Sequence, residues 1–275
     1  MRVELGGAII AQSDDVTFLH ETGRYPVAYF AAADVAQTAL RRSLTCSKHQ
    51  ELGDTQWWSF QIEDRLFEDV AWSHPQPSEH AASMAGRLAF VWDAMDAFYE
   101  EDEPILGHAA DPYHRVDIRA SSRRITVHVD GIRVADTTTP LAVFETGFAP
   151  RWYLARRDII PAALHEDAYR TLCPYKGIAR YFDVVVAERR LPAAAWSYPD
   201  AFPESARLRG YVSFDPQQVA VHIDGEHLRS TPHQGVVATG TDRNLAATRA
   251  TTIATSGGER GASTAPARAG ATMDD

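Results

Sequence analysis

Cysteine is scarce: the 275 residues contain two, Cys46 and Cys173, and no Cys-x-x-Cys spacing. Structural zinc needs four closed nitrogen or sulfur ligands, and the histidines at 49, 74, 80, 108 and 114 are spread without metal-ligand spacing. No metal and no cofactor is therefore expected. Two unpaired thiols also give no disulfide framework and fit a reducing compartment, so the chain reads as cytoplasmic. Long apolar runs are missing; none approaches the roughly 18 residues of a membrane span, and the first residues form no basic-then-apolar leader, so no membrane partner is expected. Nor is there an excess of positive charge. The formal net charge is −10, which argues against nucleic acid, because phosphate-backbone binders present a basic face. From Arg229 onward there are five basic and four acidic residues, which leaves 22 basic against 33 acidic in the rest.

What is present is a repeat. A shift of 124 residues lays the first hundred positions on a later stretch without a gap. Val3 meets Val127, Gly7 meets Gly131, and Glu21-Thr22-Gly23 meets Glu145-Thr146-Gly147. Pro26, Tyr29 and Asp34 fall on Pro150, Tyr153 and Asp158. Ala71-Trp72-Ser73-x-Pro75 falls on Ala195-Trp196-Ser197-x-Pro199, and Gly86 and Phe90 on Gly210 and Phe214. Each copy must then be a self-contained unit. The reading is a first β-rich copy at 1–98, an acidic connector at 99–114, a second copy at 115–228 and a disordered tail at 229–275.

Residues 125–130 and 219–224 alternate apolar with polar, the period of a half-buried strand, and each stretch ends in Asp-Gly, a tight-turn signal. Residues 56–62 and 181–187 read as central strands, each followed by a turn and a second strand ending at Trp72 or Trp196. Residues 34–40 and 158–164 are expected as short helices with Asp34 and Asp158 as N-caps, and a further turn follows Pro203. The acidic run at 99–104 reads as solvated surface. The tail is rich in Thr, Ala, Gly and Ser and has too little apolar area to offset its ordering entropy.

The densest cluster lies in copy two: Thr171, Cys173, Tyr175, Lys176 and Gly177, then Tyr181, Trp196 and Tyr198, with Glu145, Trp152 and Tyr153 around it. In copy one His49 faces Cys173, Leu52 faces Lys176 and His74 faces Tyr198, while Gly53 matches Gly177, as a backbone need for positive φ would require. The run Thr171-x-Cys-Pro-Tyr-Lys-Gly177, Ala195-Trp-Ser-Tyr-Pro199 and Gly210-x-x-x-Phe214, with Glu145-Thr-Gly, Pro150, Tyr153 and Asp158 upstream, resembles the domain of unknown function 427 family. The resemblance spans both copies, about residues 3–226, although copy one lacks the Cys-Pro-Tyr-Lys-Gly element. It implies a mainly β chain of two tandem, pseudo-symmetric β-tent-like antiparallel domains. β-tent relatives hold zinc through Cys-x-x-Cys pairs that this chain lacks, and others hold planar or cationic ligands in an aromatic cage. A nucleotidyltransferase label sometimes attached to the family finds no Gly-Ser pair and no Asp-x-Asp pair here.

Three functional readings follow. In the first, the chain is a small-ligand-binding module whose pocket uses Trp196, Tyr198, Tyr181, Tyr153, Tyr175 and Glu145, with Cys173 and Lys176 at its rim. The second is an enzyme using Cys173 as nucleophile or Lys176 as base or anion clamp. The third is a structural or partner-binding protein, its partner unidentified, in which Trp72 and Trp196 stitch the copies together. Each residue also has a plain reading: the tryptophans as core, Cys173 as a small buried hydrophobe, Lys176 as a surface charge or anion contact. Glu21 and Glu145 would likewise brace a turn.

Overall fold

The structure is a computed structural model that describes residues 1–21 and 24–229. Each copy is built from two sheets, and all strand pairing within them is antiparallel. The larger sheet of copy one contains Thr17–Leu19, Val27–Ala31, Leu40–His49, Gly53–Ile62, Arg65–Ser73 and Arg87–Phe90. Its counterparts in copy two are Leu141–Glu145, Arg151–Ala155, Leu164–Cys173, Gly177–Val186, Arg189–Ser197 and Tyr211–Phe214, each beginning 124 residues later and in the same lateral order. Copy two adds one edge strand, Val116–Ala120, against Leu141–Glu145.

The smaller sheets break the gapless register. Arg2–Leu5 and Ala8–Gln12 match Ile125–Val129 and Ile132–Thr137, and a bulge follows Val3 in one copy and Val127 in the other. The next strands, Ala97–Glu100 and Ala220–Ile223, start 123 residues apart, and the positive-φ turn residues Glu101 and Asp224 keep that offset. Copy two is thus one residue shorter in the loop entering this strand. A loop absorbs the deletion, because the strand's register is set by pairing: Phe98 lies opposite Val3 as Val221 lies opposite Val127.

The two sheets of each copy enclose its core. In copy two Ile125, Val127 and Val221 from the small sheet meet Leu154, Val184, Val212 and Phe214 from the large one. In copy one Val3, Leu5 and Phe98 meet Phe30, Phe60 and Phe90. Each such burial contributes about 1.5–3 kcal/mol. The 125–129 strand alternates buried and half-buried as the sequence pattern requires, and Asp130 and Gly131 both take positive φ (49° and 79°), the signature of a two-residue hairpin turn. Because successive strand residues face opposite sides, the neighbours of the core residues form a second cluster on the outer face of each large sheet. Leu141, Tyr153, Tyr198 and Leu208 build it in copy two, and Tyr29, Leu52, Trp57 and Trp72 in copy one.

Two expectations are corrected. Residues 34–40 form no helix, and 158–164 hold only the 3-10 turn Pro161–Ala163, whose N-cap is Ile160 and not Asp158. Asp34 and Asp158 close the 3-10 turns Ala32–Asp34 and Arg156–Asp158 and cap nothing. Their carboxylates accept from Ser13 Oγ (2.6 Å) and Thr137 Oγ1 (2.7 Å), which ties each turn to the small sheet in place of a helix N-terminus. The acidic run beginning at Tyr99 is not simply connector: Ala97–Glu100 turns at Glu101 onto Glu103–Pro104 and finishes the small sheet of copy one, its acidic side chains mostly exposed. The turn after Pro203 is the 3-10 segment Pro203–Leu208. The expected disordered tail falls, from residue 230 on, outside the described residues, as do Thr22 and Gly23.

Candidate functional site

Strand Leu164–Cys173 reverses through Pro174, Tyr175 and Lys176 into Gly177–Val186. Gly177 (φ 98°) makes the turn possible, and a Cβ there would stand 3.2 Å from the Asp200 carbonyl oxygen; Gly53 (φ 89°) has the same relation to Gln76 at 3.3 Å. The turn drives Lys176 inward. Its side chain is 7% exposed, and Nζ donates to Glu145 Oε2 at 2.5 Å. The other oxygen, Oε1, meets His114 Nε2 at 3.2 Å. Burial alone would raise the Glu145 pKa, but the His114 hydrogen bond and the Lys176 charge outweigh it and hold the carboxyl below its ordinary value. Lys176 is therefore no surface charge, and Glu145 does more than brace a turn.

The linking segment and copy one wall this ion pair. Tyr175 stacks on His114 with centroids 4.2 Å apart, and its hydroxyl accepts from the Asp111 N–H at 2.8 Å. Burial pushes Tyr175 up to about 12. His108 stacks on Tyr25 of copy one at 3.6 Å and stands edge-on to Tyr175 at 6.0 Å. Burial lowers the His108 pKa to about 4, so its ring is neutral at pH 7, and Nδ1 donates to the Ala109 carbonyl. The Tyr25 hydroxyl is shifted upward by burial and then by Cys173 and Glu145, which places copy one beside the site of copy two.

The expected aromatic set divides by depth. Tyr153 and Tyr198 are buried in the outer cluster, and burial raises both hydroxyls. Trp196 Nε1 donates to Tyr153 Oη at 3.1 Å, and Lys176 Nζ lies 5.9 Å from the Tyr198 ring. Tyr181 and Trp196 are only half-buried. Their rings are 6.2 Å apart, and Tyr169 extends the row 4.7 Å from Tyr181. The Arg151 guanidinium sits 5.4 Å from the Trp196 ring, and Tyr181 Oη bonds Thr171 Oγ1 at 3.2 Å. Cys173 is a half-buried free thiol at the edge of this cluster. Trp152 packs on the opposite, inter-sheet face.

Copy one builds the same frame from other residues. Glu21 pairs with Arg24 Nη1 (3.0 Å) and His49 Nε2 (3.3 Å), in place of Lys176 and His114. The Glu51 and Leu52 N–H groups point at His49 Nδ1, which leaves the proton on Nε2, facing Glu21. Arg24 stands where copy two has Phe148, so each copy binds its carboxylate with a cation from a different strand or turn. Trp72 Nε1 donates to Tyr29 Oη at 3.0 Å, and that hydroxyl also meets His74 Nε2 at 3.1 Å. Trp57 Nε1 donates to Ser47 Oγ, the positions of Tyr181 and Thr171. Trp57 and Trp72 are each only 5% exposed. The matching rings of copy two are open and those of copy one are shut.

The indole N–H groups of Trp72 and Trp196 donate within their own copies, while copy one meets the linking segment through Tyr25 on His108 and His20 with Asp111. Sequence reading missed Tyr25, Arg24, His108 and His114. The signal available for Arg24 was its reciprocity with Lys176, because copy one gains a cation at 24 where it loses one at 52. Among the described residues no group of three or more His, Cys, Asp or Glu is arranged to hold a metal ion, and no helix is long and apolar enough to cross a membrane.

A family model described as "Domain of unknown function (DUF427)" matches residues 1–101 and again residues 117–225. No curated protein matches the chain.

Proposed function

We propose that this chain, which belongs in both halves to the domain of unknown function 427 family, is a small-ligand-binding module whose site is the outer aromatic face of copy two. One observation carries the reading: two ring positions that are sealed in copy one, Trp57 and Trp72, are occupied in copy two by the half-buried Tyr181 and Trp196. Open, adjacent aromatic faces on a rigid sheet bind planar rings by stacking and apolar contact. Tyr153 and Tyr198 form the floor, and Cys173, Tyr175 and the Lys176–Glu145 pair supply the polar border. Catalysis by Cys173 is the weaker reading, because the Lys176 ammonium is turned onto Glu145 and His114 faces the same carboxylate. Two free cysteines favour the cytoplasm as the place of work.

The test is a thermal-shift screen of the full chain with planar-ring compounds. A ligand at about 100 times its Kd adds about 2.7 kcal/mol, a readable rise in Tm. Hits that vanish in both Trp196→Ala and Tyr181→Ala support the site. If every hit survives both substitutions, binding lies elsewhere and the proposal is overturned.

A further inference from the structure

We propose that copy two carries a second and separate binding site, for an aromatic carboxylate, in the cleft between its two sheets. In copy one the Trp92 indole lies flat on the Phe98 ring, with centroids 3.9 Å apart and an interplanar angle of 0°, and both pack into the inter-sheet core. Trp92 opens a 3-10 turn directly after strand Arg87–Phe90; the same place after Tyr211–Phe214 is held by Pro216. Phe98 corresponds to Val221 by strand pairing. Two rings of the copy-one plug have thus become one proline and one valine, while Ala28 of copy one is matched by Trp152, whose ring lines the cleft. Both replacements line a cleft of about 330 Å³ in copy two. That volume lies within the range of about 300–1,000 Å³ typical of small-molecule sites.

The walls state the ligand's chemistry. Val127 and Ile223 of the small sheet and Leu154 and Phe214 of the large one make an apolar slot where copy one keeps its stacked indole. A planar apolar ring fits that slot. Arg123, Arg151 and Arg229 also line it, and no Asp or Glu is among its described lining residues. Arg123 stands 3.6 Å from Asp224 and the Arg151 guanidinium 5.4 Å from the Trp196 ring, which leaves Arg229 and an Arg123 released from Asp224 as the cations for a ligand. In a chain of net charge −10, a cleft whose charged lining residues are all arginines favours an anion, and a carboxylate takes paired N–H donors from a guanidinium. Besides the arginines, Gln217 and the Trp152 indole N–H are the polar side-chain groups of the described lining residues, too few donors for a polyphosphate. The cleft lies on the opposite side of the large sheet from Tyr181, so it stands whether or not the outer face binds anything. Arg151 touches both regions and is left intact in the test.

Calorimetric titration of the full chain with naphthoate tests the proposal, with naphthamide as the uncharged control. In the full chain carrying Trp196→Ala and Tyr181→Ala, which removes the outer aromatic face, saturable binding of one equivalent is expected, with naphthamide about tenfold weaker or more. Pro216→Trp combined with Val221→Phe restores the copy-one plug and should abolish binding. Arg123→Ala with Arg229→Ala, both on the surface, should weaken it about tenfold while the fold is kept. Unchanged affinity in the plugged variant overturns the proposal, as does equal affinity for naphthamide or no binding by the full chain. If the plugged variant fails to fold by circular dichroism, the arginine variant and the naphthamide control decide the matter alone.

Discussion

At the scale of the residue, Glu145 is the centre of the account, because it is the shared group whose partners changed between copies. Its side chain is 10% exposed and faces one ammonium and one imidazole. Removing one member of a buried ion pair costs about 3–5 kcal/mol, whereas replacing both by neutral groups of similar shape costs much less. Lys176→Met should therefore be more destabilising than the double substitution Glu145→Gln with Lys176→Met, as read from urea unfolding. The pH dependence follows in sign. The folded Glu145 carboxyl titrates below its ordinary 4.5, so its contribution is fully present above that pH and is lost as pH falls through the folded value. Glu145→Gln should flatten the acid limb of stability between pH 7 and pH 3 relative to wild type. An acid limb of unchanged steepness would mean that the pair does not act in the folded state. The ion pair was only half legible in the sequence. Lys176 and Glu145 stand out when the copies are compared, yet they are 31 residues apart, and only the reversal at Gly177 brings Lys176 onto the carboxylate. His114 could not be assigned at all, because it lies outside the repeat and has no counterpart to compare.

At the scale of the element, the copies keep backbone geometry more faithfully than side chains. Asp69 and Ala193 both take positive φ (52° and 49°), and at each the N–H is caught by a side chain from the neighbouring strand, Ser59 Oγ in one copy and Asp183 Oδ1 in the other. The cap persists while its residue changes. Asp183 titrates low, first through the Ala193 N–H and against its own burial, with Arg190 adding to the effect. An alanine in the left-handed region carries roughly 1–2 kcal/mol of strain, so Ala193→Gly should raise stability by up to about 1 kcal/mol after the loss of backbone entropy. Gly177→Ala should do the reverse by at least about 1 kcal/mol, since φ 98° is strained for any side chain and the Cβ would press on the Asp200 carbonyl. Differential scanning calorimetry checks both; a neutral Gly177→Ala would show that the turn is not tight. Strands, hairpin turns and these glycines were readable from alternation, Asp-Gly pairs and the repeat. The aspartate-capped helices read into residues 34–40 and 158–164 were not there, apart from the 3-10 turn Pro161–Ala163, because an aspartate N-cap pattern is identical in sequence to an aspartate that bonds a hydroxyl on another sheet. Only the tertiary partners Ser13 and Thr137 distinguish the two.

At the scale of the whole molecule, one domain plan has been used twice and fitted out differently. Copy one closes both of its faces, the outer one with Trp57 and Trp72 and the inter-sheet one with Trp92 on Phe98. Copy two opens the same two places. It also borrows Tyr25 from copy one, along with His108 and His114 from the linking segment, to wall its ion pair. The twofold architecture was plain from the 124-residue offset, and the single-residue slip before Ala220 was not, because the sequence there has no rare residue to mark it. Equivalent rings are core in copy one and, on our proposal, site in copy two, and the direct measurement is the unfolding free energy of Trp72→Ala against Trp196→Ala in urea. Truncation of the buried Trp72 should cost about 3–5 kcal/mol, and that of the half-buried Trp196 clearly less. Equal costs would contradict the account and make both tryptophans parts of the same closed scaffold.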